Sequence, residues 1–204
     1  MAIRAVIFDL GGVLVRTEDQ APRADLANRL GISREQLYDQ IFDSPSAKQA
    51  TLGVITADQH WENVRQALGL TMERFSAARR AFWAGDRLDM DLVDRIRSLR
   101  PRYKTALLSN AWSDLRSYLV ERWQIAAAFD ELIISAEVGL TKPAPAIYRL
   151  ALDRLKVQPA EAVFVDDFAE NIEGARMVGL HTIHFRSAEQ ARSELDILLN
   201  GLDK

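Results

Sequence analysis

Apolar residues along this chain follow two rhythms. Short, mainly apolar runs at Ala5–Phe8, 105–108, 132–134 and 162–165, and a mixed one at 181–185, have the length of strands buried on both faces, as in a parallel sheet. Between them apolar positions recur every third or fourth residue, the helical spacing. Leu92, Val93, Ile96 and Leu99 form one such stripe, stopped by Pro101; others cover 113–123, 143–155, 168–178 (closed by Gly179) and 188–199. From Arg16 to Arg87 no strand is predicted. Helices follow one another there instead: 22–30 ending at Gly31, one opened by Ser33 with Gln36 and running through Phe42, and one opened by Thr56 with Gln59. The last of these carries Trp61, Val64 and Leu68 and closes at Gly69; Thr71 caps a further helix bearing Phe75, Phe82 and Trp83. The alternation predicts an α/β fold, a Rossmann-like parallel sheet with helices on both faces. Residues 1–15 and 88–204 build it, with a helical cap of 16–87 inserted.

The 204 residues suffice for one sizeable core carrying an insertion. A net charge of −3 offers no basic field for nucleic acid or an anionic membrane. The chain has no cysteine, which excludes disulfides and thiolate metal sites. The opening apolar run is too short for a signal peptide and ends in Asp9, and no stretch is long enough to span a bilayer, so the cytoplasm is the expected compartment. Oligomeric state leaves no signature in the sequence.

Polar residues follow the predicted strands directly: Asp9, then Gly11 and Gly12; Ser109 and Asn110; Asp166 and Asp167; Lys142 lies on a loop before a helix. Parallel strands present their carboxyl ends on one edge, where ligands of open α/β sheets bind, so these distant positions converge. An Asp or Ser at a strand end also turns the chain, and Asp166 and Asp167 also favour the dipole of the following helix. Three carboxylates in one crevice raise one another's pKa unless a cation neutralises them. An all-oxygen donor set without Cys or paired His favours Mg²⁺. A metal, a lysine, hydrogen-bond donors and an oxygen nucleophile are the parts that phosphoryl transfer needs.

Four segments in this order resemble the haloacid dehalogenase superfamily, in the branch with a helical cap after the first strand: residues 8–14 (FDLGGVL), 107–110 (LLSN), 139–148 (GLTKPAPAIY) and 164–171 (FVDDFAEN). The resemblance implies that Asp9 is the nucleophile, forming an aspartyl-phosphate that water cleaves. It further implies that Asp9, the Gly11 carbonyl and Asp167 hold Mg²⁺, with Asp166 a ligand directly or through water. Ser109 and Asn110 would bind the phosphoryl group, and Lys142 would hold nucleophile and phosphate together. The cap would close over a small phosphorylated substrate.

The family's phosphatases usually carry a second Asp two residues after the nucleophile, as general acid. Here that position is Gly11. Such a group is typically worth about 10²–10⁴ in rate. Three explanations stand. The sequence resembles a branch of small sugar-phosphate phosphatases with glycine there, through its Gly53-Val54-Ile55-Thr56 stretch and Trp61; a cap residue supplies the proton; or the reaction needs no acid, as in 2-haloacid dehalogenases. A binding or regulatory protein on the same scaffold is the non-enzymatic alternative. His60, on the cap, is a candidate to face substrate, whereas His181 and His184 read as structural. Trp61, Phe75, Phe82 and Trp83 read as cap core, and Arg79-Arg80 as a solvated face.

Overall fold

The computed structural model describes residues 2–100 and 102–201. Strand β1 (Ala5–Phe8) leads past Gly11 and Gly12 into β2 (Val15–Thr17). Helices α1 (Ala21–Leu30), α2 (Arg34–Tyr38), α3 (Pro45–Thr51), α4 (Ala57–Ala67) and α5 (Met72–Phe82) follow, and the chain returns through β3 (Asp86–Leu88). The alternating part comprises α6 (Met90–Leu99), β4 (Lys104–Ser109), α7 (Leu115–Ser117), β5 (Glu131–Ile134), α8 (Ser135–Val138) and α9 (Pro145–Leu155), then β6 (Ala162–Asp166), α10 (Ala169–Val178), β7 (His181–His184) and α11 (Ala188–Gly201). Pro101, expected to stop α6, lies outside the described residues.

Five strands form one sheet in the order β5-β4-β1-β6-β7, every pairing parallel. Strand β1 is central, with Phe8 level with Leu107 on one side and Val165 on the other. Successive side chains point to opposite faces. Val6, Phe8, Leu107, Val163 and Val165 pack under α6 and α11, whereas Ile7, Ala106, Leu108 and Phe164 pack under α9 and α10. Both faces are covered, so the strands read as continuous apolar runs. Among the described residues no helix is long and apolar enough to cross a membrane.

Several elements differ from expectation. β2 and β3 are strands, pairing antiparallel with Val15 opposite Leu88 and Thr17 opposite Asp86. Three half-buried, partly charged residues give no periodicity; the pairing arises because both crossings to the helical insertion run side by side. Helix α9 begins at Pro145, not Pro143, because a turn from Thr141 to Ala144 (N···O 3.0 Å) intervenes and Pro145 takes the first helical turn. The expected helix over 113–123 is a single α turn that widens, with the Trp123 N–H donating to the Tyr118 carbonyl.

Helices α1–α5 bury their own cluster, including Leu26, Leu37, Ile41, Trp61, Val64, Phe75 and Phe82. The capping boxes at Ser33 and Thr56 are both formed. Buried Arg23 joins this cluster to the returning strand. Its guanidinium donates to both Asp86 oxygens at 2.7 and 2.8 Å and to the Phe82 carbonyl at 3.1 Å, lies 4.4 Å from the Phe82 ring centroid, and bonds the Tyr38 hydroxyl. Thr17 donates to the same Asp86 at 2.8 Å. Removing one partner of a buried pair leaves an uncompensated charge, so Arg23→Ala should cost about 3 kcal/mol in urea unfolding. Replacing Arg23 and Asp86 together by apolar residues should cost less than that single change.

Candidate active site

Strand β1 ends at Phe8, and Asp9 follows on the carboxyl edge of the sheet, its N–H held by the Val165 carbonyl at 2.9 Å. Asp166 closes neighbouring β6 and Ser109 closes β4, both buried. Lys142 reaches this edge from the turn before α9. Its side chain is 2% exposed, and its ammonium lies 2.8 Å from Asp9 Oδ1 and 2.6 Å from Asp166 Oδ2. The predicted convergence of Asp9, Ser109, Lys142, Asp166 and Asp167 at one sheet edge is thus observed.

The two carboxylates of the β6 pair have different jobs. Asp166 Oδ1 accepts from the Phe168 N–H (2.8 Å) and Asn171 Nδ2 (3.0 Å); Oδ2 accepts from Lys142 and again from Asn171 (3.1 Å). A carboxylate offers about four lone-pair sites, and those of Asp166 are taken by protein donors. These bonds make Asp166 the anchor of Lys142. Half-buried Asp167 is the opposite case, its Oδ1 buried with no hydrogen-bond partner. Its other oxygen packs on the backbone of Gly12, where a Cβ would sit 2.1 Å from it. Gly12 also has φ +78°, a conformation that suits glycine.

Asp9, Asp166 and Asp167 each present an oxygen within 4.8 Å of the others. Burial pushes the Asp9 carboxyl up to about 7, the Asp166 charge adding to the effect and Lys142 opposing it. Burial also raises Asp167, again with Asp166 contributing. Burial disfavours the Lys142 ammonium, but Asp9 and Asp166 outweigh it and hold its pKa above the usual value. An orphaned oxygen beside a second, destabilised carboxylate is what a hard divalent cation relieves. Asp9 and Asp167 therefore fit Mg²⁺.

Asn110, exposed at the same edge, also clamps the lysine loop. Its Oδ1 accepts from the Lys142 N–H (2.8 Å) and its Nδ2 donates to the Lys142 carbonyl (2.9 Å), so it fixes the lysine's backbone. Behind Asp166, Asn171 is held by the Tyr148 hydroxyl donating to its carbonyl at 2.8 Å. Gly174 lets α10 approach the lysine loop, since a Cβ there would meet the Pro143 carbonyl at 2.6 Å. A glycine inside a helix was the available sequence signal for that approach. His60 does not face a site. It is fully buried, its Nδ1 bonded to Ser46 Oγ and its Nε2 to the Ile41 carbonyl. His184 accordingly plays a structural part, bonding the Asp167 carbonyl.

Comparison with known proteins agrees with this geometry. A model of the haloacid dehalogenase-like hydrolases matches residues 3–179. The chain is 30% identical over 96% of its length to bifunctional epoxide hydrolase 2 of Rattus norvegicus, but spans only 39% of that protein. It is 29% identical to the D-ribitol-5-phosphate phosphatase of Bacteroides thetaiotaomicron, over 98% of this chain and all of the relative. A wild-type HAD family enzyme of the same organism, in complex with magnesium and inorganic phosphate, superposes with a TM-score of 0.77 at 21% identity, covering 92% of this chain and 96% of that one. The last likeness is one of fold. Taken with the residues gathered at the sheet edge, the family match makes this chain a member of the haloacid dehalogenase-like hydrolases.

Proposed function

We propose that this protein is a Mg²⁺-dependent phosphomonoester hydrolase acting on a small phosphorylated metabolite, with sugar phosphates among the candidates. Residues 16–87 serve as its cap and 1–15 with 88–204 as its core. The observation that carries the reading is the pairing of a buried Asp9, 2.8 Å from the Lys142 ammonium, with an Asp167 oxygen that no protein group satisfies. The ribitol phosphate phosphatase, similar along its whole length, supports the same reaction class. An acidic chain without cysteine fits a cytoplasmic enzyme with no nucleic-acid partner.

An Asp9 oxygen attacks phosphorus while the bond to the leaving oxygen breaks, giving an aspartyl-phosphate and an alkoxide that takes up a proton. Water then displaces Asp9 from phosphorus, releasing inorganic phosphate and restoring the carboxylate. Lys142, fixed by Asn110 and Asp166, holds Asp9 in place and presents positive charge to the phosphoryl oxygens, with Ser109 at the same edge. Asp9, the Gly11 carbonyl and Asp167 would hold Mg²⁺, which would supply further charge against the phosphate and favour ionised Asp9.

Phosphate release from p-nitrophenyl phosphate should require Mg²⁺, stop with EDTA, and fall more than about a thousandfold in Asp9→Asn, as for other nucleophile deletions. Turnover that survives Asp9→Asn would overturn the mechanism. Chloride release from 2-chloropropionate in EDTA would instead establish the dehalogenase reading.

A Cβ at Gly11 would meet nothing within 4 Å, so the backbone there admits a side chain's first atom without a clash. Gly11→Asp should raise kcat on alkyl phosphates by about 10². It should leave p-nitrophenyl phosphate nearly unchanged, because that leaving group needs no proton.

A raised Asp9 pKa also sets a stability signature. Between its unfolded value of 3.8 and about 7 the folded chain binds more protons than the unfolded one, so this group makes metal-free stability fall as pH rises through that window. Asp9→Asn, which cannot ionise, should therefore melt higher than the wild type in EDTA at pH 8. Calorimetry should show the gap closing as pH is lowered toward 4.

A further inference from the structure

A contiguous aromatic cluster crosses the seam between the helical insertion and the sheet edge. Trp112 belongs to the sheet side, three residues beyond Ser109. Its ring stacks on Phe42 at 6.1 Å and meets Trp61 edge-on at 5.1 Å. Phe42 in turn meets Trp83 edge-on at 5.9 Å. The insertion is tied down at this place by Ser113 Oγ accepting from the Ala57 N–H (3.1 Å) and by Arg79 pairing with Asp114 (3.3 Å). Trp61 is buried, as expected of a cap core, but Phe42 and Trp83 remain 42% and 36% exposed. Arg79, expected on a solvated face, lies 4.6 Å from the Trp61 ring centroid.

Both ends of this wall lead back to the nucleophile. Three residues reach at most about 11 Å from Ser109 to Trp112, and Ser109 ends the strand about 4.8 Å from β1. Trp83 lies just before β3, whose partner β2 follows Gly11 and Gly12 directly. The cluster thus adjoins the segments that leave and re-enter the sheet edge on which Asp9 lies. The two cations that lie against these rings are already paired, Arg79 over Trp61 with Asp114 and Arg23 over Phe82 and Trp83 with Asp86, so neither is free for a second phosphate. Nor do ring faces satisfy the hydroxyls of a polyol, whose burial without partners is costly, whereas apolar surface laid on them is stabilised by about 25 cal/mol per Å².

We propose that Phe42, Trp83 and Trp112 form an apolar subsite for the alcohol portion of the substrate, and that the substrate class is the phosphomonoester of an apolar alcohol. This rests on the phosphatase reading above and narrows it.

The test compares n-hexyl phosphate with glycerol 3-phosphate in the presence of Mg²⁺. Both leave as primary alkoxides, so a difference between them reports recognition and not leaving ability. The hexyl ester should show a KM at least tenfold lower. The double variant Phe42→Ala/Trp83→Ala should cut the ratio of the two kcat/KM values at least fivefold, through KM, while Trp83→Phe keeps it. Equal KM values, or a ratio that the double variant does not move, would overturn the subsite.

A second readout needs no turnover. Three of the chain's four tryptophans, Trp61, Trp83 and Trp112, lie in this cluster. In Asp9→Asn with Mg²⁺, n-hexyl phosphate should shift tryptophan emission and glycerol 3-phosphate should not. Phosphate released from neither ester, with the shift intact, would remove the phosphatase reading and keep the apolar subsite. Release from both without preference or shift would do the reverse, and neither release nor shift would overturn both.

Discussion

Two carboxylates withdrawn from water share a single ammonium, and this arrangement organises the molecule. Asp9 and Asp166 end neighbouring strands and would repel each other in a medium that screens poorly. Lys142 lies within 2.8 Å of both, and a buried ion of this kind persists only where its position is held and its remaining bonds are made. The structure supplies that hold from several directions. Asn110 grips the lysine's backbone, Asn171 and the Phe168 N–H fill the far side of Asp166, and Gly174 lets α10 close against the loop. Most polar residues near the site are occupied in this way.

What is left over defines the chemistry. After Lys142 has been shared, Asp9 is still held well above the usual carboxylate range and Asp167 still has an oxygen without a partner. The site is thus short of positive charge at one place only among these groups, beside the nucleophile. The aromatic cluster begins at Trp112, three residues beyond Ser109, and its members carry no charge of their own.

Much of this was legible in the residues. Buried runs ending in Asp9, Ser109 and Asp166 located both the sheet and its active edge, because a parallel strand with two covered faces leaves a pattern that loops do not. Capping boxes at Ser33 and Thr56 marked helix starts for the same local reason. What stayed hidden depended on contacts between distant segments. Nothing in the pair Ser109-Asn110 separates a phosphate ligand from a clamp on residue 142, and two adjacent aspartates look alike until their donors are counted. The three-residue strands β2 and β3 carry no periodicity at all. Trp83 and Phe82 are neighbours of equal hydrophobicity, yet one is enclosed and the other open, and that difference is set by the packing of α5 on α1 and α2.

The pairing of β2 with β3 has a mechanical consequence. Two crossings fastened to each other in register join the helical insertion to the sheet side as one paired ribbon and not as two independent tethers. Its far margin is secured to the sheet side by the Ser113 bond and the Arg79–Asp114 pair, with aromatic rings between. Along that margin the insertion meets the sheet side through two polar fastenings and one stacked aromatic interface, a joint made of far fewer backbone bonds than the ribbon opposite.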